Sequence, residues 1–267
     1  MTKYKENPVT HSRATKLSYR QVWYMIERFF AKIESLLRET LESDKDLIRK
    51  AAERVAGSIR KGGLIHLFGC GHSHLLTEEV FYRAGGLVPV HPILHEPLML
   101  HEGALRSSEL ERQNHYAERF MKHEDIRKED VVIVISTSGR NPVPIDVAQI
   151  AKDQGAYVIG ITSSAYAQET SRHQSGKLLY QCVDLAIDNH VPKGDALLEH
   201  PEVNVPFGSA STITGAAILQ GMFAEAIQML SEQGITPPVL LSGNIEGADE
   251  HNRRLVSQYK ERIPNFR

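Results

Sequence analysis

The chain contains a run of five β-branched residues, VVIVI at 131–135, and this run constrains the fold more than any other feature. A strand with one face in water alternates apolar and polar residues, so an unbroken run predicts a strand buried on both faces. Four similar apolar runs occur in the chain, separated by helical patterns: GLIHLFG, LVPVHPI, AYVIGITS and CVDLAID. Strands of this kind alternating with helices predict a doubly wound α/β fold around a parallel sheet.

Helical periodicity is clearest before the first strand. Apolar residues recur at three- and four-residue steps over 17–42 and over 44–61, which predicts two helices separated near Ser43 and Asp44. The apolar face of the first helix has two open explanations, since it either covers the domain core or packs against a second subunit. Four more helices are expected later in the chain: HLLTEEVFYRAGG, PVPIDVAQIAKDQG, SASTITGAAILQGMFAEAIQML and one within PPVLLSGNIEGADEHNRRLVSQYKERIPNFR.

Length and charge narrow the function classes. A chain of 267 residues suits one α/β domain with added helices. Its formal net charge of -2 gives no overall positive field to attract nucleic acid or anionic lipid. The opening residues MTKYKENPVTHSR lead to no apolar signal segment, and no stretch reaches the ~18 continuous apolar residues of a membrane span. We therefore expect a cytoplasmic protein with neither nucleic acid nor membrane as a partner.

Two polar loops follow the first and third predicted strands. They are GCGHSH at 69–74 and ISTSGRNP at 135–142. Ligands of open α/β sheets bind outside the carboxyl ends of the strands, where helix N-termini offer unpaired N–H groups. Ser136, Thr137 and Ser138 place three hydroxyl groups in a row, and this loop carries no lysine. The pattern predicts a site that binds a phosphomonoester through neutral donors.

Other interpretations of these loops are weaker. A dinucleotide fingerprint needs a glycine where His74 stands and an acid at the end of the second strand, where the chain has His91. A nucleotide phosphate loop needs GKS or GKT, and neither occurs. A plain tight turn at 69–74 and a helix N-cap cluster at 136–139 stay possible for each loop alone. Two such loops at the ends of strands one and three favour the phosphate site.

The first loop together with VVIVISTSGRNPVPIDVAQIAKDQGAYVIGITS resembles the sugar isomerase (SIS) domain. This domain is the phosphosugar-binding module of phosphoheptose isomerases, glucosamine-6-phosphate synthase and N-acetylmuramic acid 6-phosphate etherase. The whole chain, including SGNIEGADEHN, is similar to a stand-alone branch of that superfamily. The resemblance divides the chain into a tail and helix start at 1–30, a SIS domain at 31–232 and an extension at 233–267.

The resemblance also implies an architecture and an activity. The implied fold is a flavodoxin-like three-layer α/β/α sandwich around a five-stranded parallel sheet, with an added N-terminal helix and an added C-terminal helix. Such domains usually pair, so a homodimer or a higher homo-oligomer with sites at the subunit interface is implied. The implied activity is that of a phosphosugar isomerase or an etherase-type lyase. The resemblance assigns phosphosugar binding to six residues: Gly71, Ser73, Ser136, Thr137, Ser138 and Asn141, the last standing where the family usually has threonine.

Isomerisation and ether elimination both remove a proton from carbon, so both need a carboxylate or a histidine as base. Glu79 lies a little over one helical turn past Ser73, although related enzymes carry their glutamate a few residues farther along this helix. Glu96 follows the second strand, at the rim where strand-end residues tend to be functional. His251 becomes a candidate if the terminal segment folds over a partner's pocket. Each of the three has an alternative as a solvated or salt-linked surface residue.

Other polar side chains leave their roles open. Arg140 is either a phosphate clamp or a solvent-facing side chain, and Lys193 and Asp195 either line the sugar end of the cleft or belong to a surface loop at 188–211. Several histidines lie near the loops, but without a carboxylate or thiolate at fixed spacing they indicate no metal site: His72, His74, His91, His95 and His101. We predict no metal and no cofactor.

A second candidate function belongs to a different class. A non-catalytic sensor or accessory protein that binds a carbohydrate derivative would need the same phosphosugar site. Sensors with this domain normally carry a DNA-binding helix-turn-helix, whereas residues 1–45 indicate one long apolar-faced helix after a short tail. The sequence therefore favours the enzyme over the sensor.

Overall fold

Five parallel strands form the central sheet in the computed structural model, which describes residues 24–267. The strands are β1 Ile65–Gly69, β2 Val90–Pro92, β3 Val131–Ile135, β4 Tyr157–Thr162 and β5 Leu185–Asp188. Their order is β2-β1-β3-β4-β5, and every neighbouring pair is parallel. Every residue of β1 and β3 is buried, as the continuous apolar runs predict. The predicted α/β fold with a five-stranded parallel sheet is confirmed.

Helices cover both faces of this sheet. The α-helices of the described residues are α1 Met25–Arg60, α2 Leu75–Val80, α3 Ala104–Leu110, α4 Glu118–Met121, α5 Pro142–Asp153, α6 Ser211–Glu232 and α7 Ala248–Tyr259. On one face, Val55 of α1 and Phe223 of α6 belong to the same apolar cluster as Ile133 of β3. On the other face, Val147 of α5 and Val134 of β3 share a second cluster. These three layers match the predicted sandwich.

α1 is one continuous helix, so the predicted break near Ser43 and Asp44 is wrong. The start of the first predicted helix, before residue 24, lies outside the described residues. Asp44 is only 4% exposed, and its carboxylate accepts hydrogen bonds from the Asp188 N–H (3.1 Å) and from His190 Nε2 (2.6 Å). Aspartate usually caps helices, but Asp44 lies inside this one because tertiary hydrogen bonds hold its side chain there.

The two halves of α1 have different environments. Ala52 and Val55, in the C-terminal half, are fully buried in the core. In the N-terminal half, Ile26, Phe30 and Leu41 are 65%, 68% and 59% exposed. The helix covers the core with one end and presents large apolar side chains to solvent with the other.

Two other predicted elements differ from the structure. α2 ends at Val80 instead of continuing to the glycines, because Phe81 leaves the helix with extended backbone and stacks on Phe266, with ring centroids 5.2 Å apart. The segment 188–211, predicted to be a loop, contains a hairpin of two antiparallel strands. They are β6 Leu198–His200 and β7 Val203–Phe207. The proline and glycine residues of this segment indicate a loop, and they obscure the short alternation of apolar and polar residues that is typical of strands.

α6 is long and apolar enough, by length and composition, to cross a membrane. In the structure Leu219, Met222 and Phe223 are buried in the cluster that also contains α1 and the sheet. Gly215 lets this helix approach α2, since a Cβ atom there would lie 2.4 Å from Leu76 Cδ1. Packing inside the domain accounts for the apolar composition of α6.

Candidate functional site

Two loops leave the carboxyl edge of the sheet side by side. β1 and β3 are neighbouring parallel strands, and Gly69 at the end of β1 pairs with Ile135 at the end of β3. The chain after β1 forms a short 3-10 helix, Gly71–His74, and the chain after β3 leads into α5. We call 70–74 the first loop and 136–141 the second loop. Because the two strands end at the same level, both loops lie where open α/β sheets bind their ligands.

Glycines give both loops their shape. Gly71 and Gly139 have φ angles of 56° and 57°, in the left-handed region that favours glycine. A Cβ atom on Gly139 would lie 2.8 Å from Thr162 Oγ1 and 3.2 Å from Leu179 Cβ. The second loop therefore requires glycine at this position for its conformation and for its space.

Three serine hydroxyl groups in the loops have no protein partner. Within residues 24–267, no hydrogen bond joins the Oγ atom of Ser73, Ser136 or Ser138 to another residue. Thr137 differs, because its Oγ1 accepts a hydrogen bond of 3.3 Å from Asn189 Nδ2, which leaves the hydroxyl proton to be donated. Four hydroxyl donors are thus available to a ligand at the edge of the sheet.

Backbone donors come from the second loop and not from the first turn of α5. Pro142 and Pro144 have no N–H, and the residue between them donates its N–H to the carbonyl oxygen of Glu111 at 3.3 Å. In the loop itself, the N–H groups of Thr137 and Ser138 have no backbone partner among the residues described. An anion would therefore be held by loop amides and hydroxyls, with the helix dipole adding a smaller attraction.

A half-buried carboxyl group, that of Glu111, lies between the two loops. Asn141, the N-cap residue of α5, is close enough to affect the pKa of this carboxyl group. Burial raises the pKa of the Cys70 thiol in the first loop, and nearby Glu111 adds to the rise. Burial raises the pKa of this carboxyl group, although Asn141, Arg112 and Arg172 oppose the effect. A partly buried carboxyl group with a raised pKa is a candidate for general acid/base chemistry.

The segment 163–179, which follows β4, covers the second loop. Arg172 donates its backbone N–H to Arg140 O (2.9 Å) and its Nη1 to Asn141 Oδ1 (2.8 Å). The side chain of Arg140 turns toward the same segment, where Nε donates to Thr170 O at 2.9 Å. Part of the Arg140 guanidinium group is bound to this segment. Arg140 therefore fits neither of its two predicted roles well, that of a phosphate clamp or that of a solvent-facing side chain.

Lys193 and Asp195 have partners within the protein. Lys193 forms an ion pair with Glu169. Asp195 Oδ1 accepts the N–H groups of Ala210 and Ser211, each at 2.9 Å, and so caps the start of α6. The contacts of Asp195 indicate a structural role at this helix end.

Comparison with known proteins identifies the family. Residues 28–163 match the family model of the SIS domain. The chain belongs to the SIS-domain family. It is 64% identical over 241 residues to a UPF0309 protein of Geobacillus kaustophilus, with 90% of this chain and 96% of that protein covered. A UPF0309 protein of Caldanaerobacter subterraneus is 44% identical over 242 residues, with 89% of this chain and 97% of that protein covered.

Solved structures agree at the level of the fold. A phosphoheptose isomerase from Neisseria gonorrhoeae superposes with a TM-score of 0.51 at 14% identity, covering 76% of this chain and 97% of that chain. A phosphoheptose isomerase from Francisella tularensis gives a TM-score of 0.50 at 15% identity, with the same coverage of both chains. The resemblance that the two loops indicated is therefore confirmed for family and fold, while residue roles rest on the geometry of this chain.

Glu96, one of the three predicted acid/base residues of this SIS-domain protein, follows β2 at the carboxyl edge of the sheet. It begins a 3-10 turn, Glu96–Leu98, four residues after β2, and it is exposed. The chain then brings Leu100 against the first loop, where its Cδ2 would lie 3.8 Å from a Cβ atom on Gly71. Leu100, four residues after Glu96, therefore lies against the first loop, and a role for Glu96 itself stays a prediction.

The structure does not bring the other two predicted acid/base residues to the loops. Glu79 lies on the side of α2 that faces α6, paired with Arg83 at 2.9 Å and with Gln220 at 3.5 Å. The ring of His251 hydrogen-bonds to Val239 O at 2.9 Å. Val239 pairs in turn with the chain just before β2, which is at the amino edge of the sheet, opposite the loops.

The histidines noted in the sequence are scattered over several environments. His95 stacks on Phe120, with ring centroids 4.6 Å apart, and burial lowers its pKa. The ring centroids of His74 and His101 are 6.3 Å apart, which places His101 beside the first loop. Sequence reasoning missed Glu111 as a site residue, and the one available signal was the unusual length of the crossover between β2 and β3.

Proposed function

We propose that this SIS-domain protein binds a sugar phosphate at the two loops and isomerises it or eliminates a group from it by general acid/base catalysis. The observation that carries the proposal is the set of unpartnered hydroxyl groups of Ser73, Ser136 and Ser138 at the ends of adjacent strands. A phosphate monoester dianion accepts several hydrogen bonds at once, and charge-assisted bonds of this kind are the stronger ones.

The chemistry of the loops supports a monoester over a nucleotide triphosphate. Neither loop carries a lysine, and neutral donors with loop amides compensate a compact dianion better than an extended polyphosphate chain. Gly71 and Gly139 keep the backbone close to the space in front of the hydroxyl groups. Gly71, Thr137 and Asn141 complete the proposed phosphosugar-binding set.

The proton transfer is assigned to Glu111. In an isomerisation, a base takes a proton from the carbon next to the carbonyl group while the carbonyl oxygen takes a proton from an acid, which gives an enediol. The former carbonyl carbon then takes a proton back as the other hydroxyl group of the enediol gives up its proton and becomes the new carbonyl group. The backbone oxygen of Glu111 accepts the N–H of Val143, just after the second loop, and its carboxyl group lies near Cys70 of the first loop. We therefore expect a phosphate bound between the loops to hold the sugar carbons beside Glu111. Glu96, in the turn after β2, is the second carboxyl group that we assign to act on the sugar oxygens.

The proposal includes an assembly in the cytoplasm. The exposed apolar side chains of Ile26, Phe30 and Leu41 form a surface on α1 that suits burial against a second copy of the chain. Glu79 and His251 keep a role in the proposal only if a partner subunit brings them to the loops of its neighbour.

Ligand binding and turnover test the proposal together. Purified protein is mixed with hexose and heptose phosphates, N-acetylmuramic acid 6-phosphate included, while thermal shift reports binding and product analysis reports turnover. The matching unphosphorylated sugars are the control. We expect at least one phosphate to raise the unfolding temperature and to be converted, while its unphosphorylated partner does neither.

The outcomes separate the two function classes. Binding of a sugar phosphate without any product would contradict the enzyme and support the non-catalytic sensor. Equal effects of phosphorylated and unphosphorylated sugars, or no binding by any of them, would contradict the phosphosugar site itself.

A further inference from the structure

Two buried histidines face each other at the amino edge of the sheet, away from the two loops. His66 of β1 pairs in register with His91 of β2. They are 1% and 5% exposed, and their ring centroids are 5.1 Å apart with the ring planes at 84°. His66 stands three residues before Gly69, which puts it about 10 Å from the carboxyl end of the strand at the usual rise per residue.

Each of these histidines has one ring nitrogen bound and the other unpartnered. His66 Nε2 is 3.1 Å from Asp130 Oδ2, and His91 Nε2 is 2.7 Å from Glu124 Oε2. The Nδ1 atoms of both rings are buried and have no hydrogen-bond partner. A buried polar atom without a partner costs roughly 1–3 kcal/mol, so two in one cluster need an explanation.

The surroundings of His66 orient its ring and disfavour its charged form. Burial lowers the pKa of His66, in spite of the opposing hydrogen bond to Asp130. Asp130 itself is fixed by the N–H groups of Leu64 (2.7 Å) and Arg127 (2.8 Å) and by Arg262 Nη2 (2.7 Å). A carboxylate held in this way fixes the tautomer of the histidine, which leaves a lone pair on Nδ1.

We propose that His66, His91 and Glu124 bind a divalent transition-metal ion, with Zn²⁺ as the ion that the donor set fits best. One ligand atom from each of the three residues lies within 4.8 Å of the others. Two imidazoles and one carboxylate are a common set for Zn²⁺, with water as the fourth ligand. Asp130 is the outer partner that orients His66, as carboxylates do in such sites.

Binding requires a small contraction of the cluster. Ligand atoms bonded tetrahedrally to Zn²⁺ at ~2.0–2.1 Å lie about 3.3 Å from one another. Glu124 is the residue placed to close this gap, since it lies in the chain between α4 and β3 and its side chain is 20% exposed.

The ion would have a structural role. It would join β1, the three-residue edge strand β2 and the segment that leads into β3, and these belong to different parts of the sequence. The proposal does not depend on the proposed sugar-phosphate activity, because the site lies at the other edge of the sheet.

Metal binding by the full chain tests the proposal. After treatment with a chelator, the protein is titrated with ZnCl₂ by calorimetry and with CoCl₂ by visible absorption, which reports tetrahedral coordination. We expect one Zn²⁺ per chain, a rise of the unfolding temperature with Zn²⁺, and a Co²⁺ spectrum that Zn²⁺ abolishes. Glu124→Ala should weaken Zn²⁺ binding by at least tenfold, whereas His123→Ala, on an exposed neighbouring histidine, should leave it unchanged.

The contradicting results are equally clear. Absence of stoichiometric Zn²⁺ uptake by the wild-type chain would overturn the proposal, as would equal affinities of wild type and Glu124→Ala. Circular dichroism of the metal-free variants confirms that each is folded. If Glu124→Ala does not fold, the tetrahedral Co²⁺ spectrum and the Zn²⁺-dependent unfolding temperature of the wild-type chain decide the question.

Discussion

The hydroxyl group of Ser138 is the smallest part of the proposed site that can be removed alone. No residue of the described chain hydrogen-bonds to it, so Ser138→Ala leaves no protein group unsatisfied. We expect this variant to weaken sugar-phosphate binding by ~1–2 kcal/mol, or about 5- to 30-fold in Kd, through one lost charge-assisted hydrogen bond. Calorimetry with the best ligand of the panel measures the change, with Ser35→Ala on exposed α1 as the control. An unchanged Kd would remove Ser138 from the site.

Glu111 carries the proposed proton transfer. We expect Glu111→Gln to lower kcat by ~10²-fold or more while the Kd for the sugar phosphate changes little. Glu109→Gln, on an exposed neighbour, should retain the wild-type rate. Wild-type turnover in Glu111→Gln would contradict the assignment.

The pH dependence gives a second readout of the same residue. A general base acts in its deprotonated form, so the rate should fall as pH decreases through the pKa of Glu111. Because burial raises this pKa, the fall should begin at a higher pH than for an ordinary glutamate. A rate profile of the wild-type enzyme against pH measures it, and a limb at the pKa of an unperturbed glutamate would argue against Glu111.

The conformation of the second loop depends on Gly139. In Gly139→Ala, the left-handed backbone costs ~1–2 kcal/mol and the Cβ atom presses on Thr162 and Leu179, which adds a further ~1–3 kcal/mol. Gly176→Ala is the matched control, because Gly176 has a φ of 72° but no atom within 4 Å of the added carbon. Urea unfolding should show the larger loss for Gly139→Ala. Equal losses in the free energy of unfolding would mean that the second loop accommodates the added carbon without a steric cost.

Local patterns explain why the strands and loops could be predicted. The run at 131–135 shows burial on both faces without knowledge of any other element. The continuity of α1 could not be predicted in this way. Asp44 has the character of a helix cap, and the residue that holds it, His190, lies 146 positions away. A pair so far apart in the sequence can be recognised only once the fold has brought the two residues together.

In the candidate site, too, local sequence patterns predict some residues, whereas others are brought there only by the fold. Hydroxyl-rich loops at 70–74 and 136–141 were visible because serine, threonine and glycine cluster in sequence. Glu111 was not, since its place beside Asn141 results from the path of a long crossover. His66 and His91 were also hidden as a pair, because only the register of β1 and β2 makes them neighbours.

At the scale of the whole molecule, the N-terminal half of α1 predicts self-association. Phe30 is 68% exposed on a helix whose other end lies in the core. We expect Phe30→Asp to shift the proposed dimer toward monomer, because a buried charge at an interface is costly. Tyr180→Ser, at an exposed aromatic residue remote in sequence, is the control. Analytical ultracentrifugation measures the change, and a wild-type chain that is monomeric throughout would contradict the assembly.

The central claim is that both loops hold one phosphate group. A crystal structure of the complex with the sugar phosphate that most raises the unfolding temperature tests it most directly. Our account predicts phosphate oxygens within hydrogen-bond distance of Ser73 Oγ in the first loop and of Ser136 or Ser138 Oγ in the second. A phosphate bound elsewhere, or held by one loop alone, would contradict it.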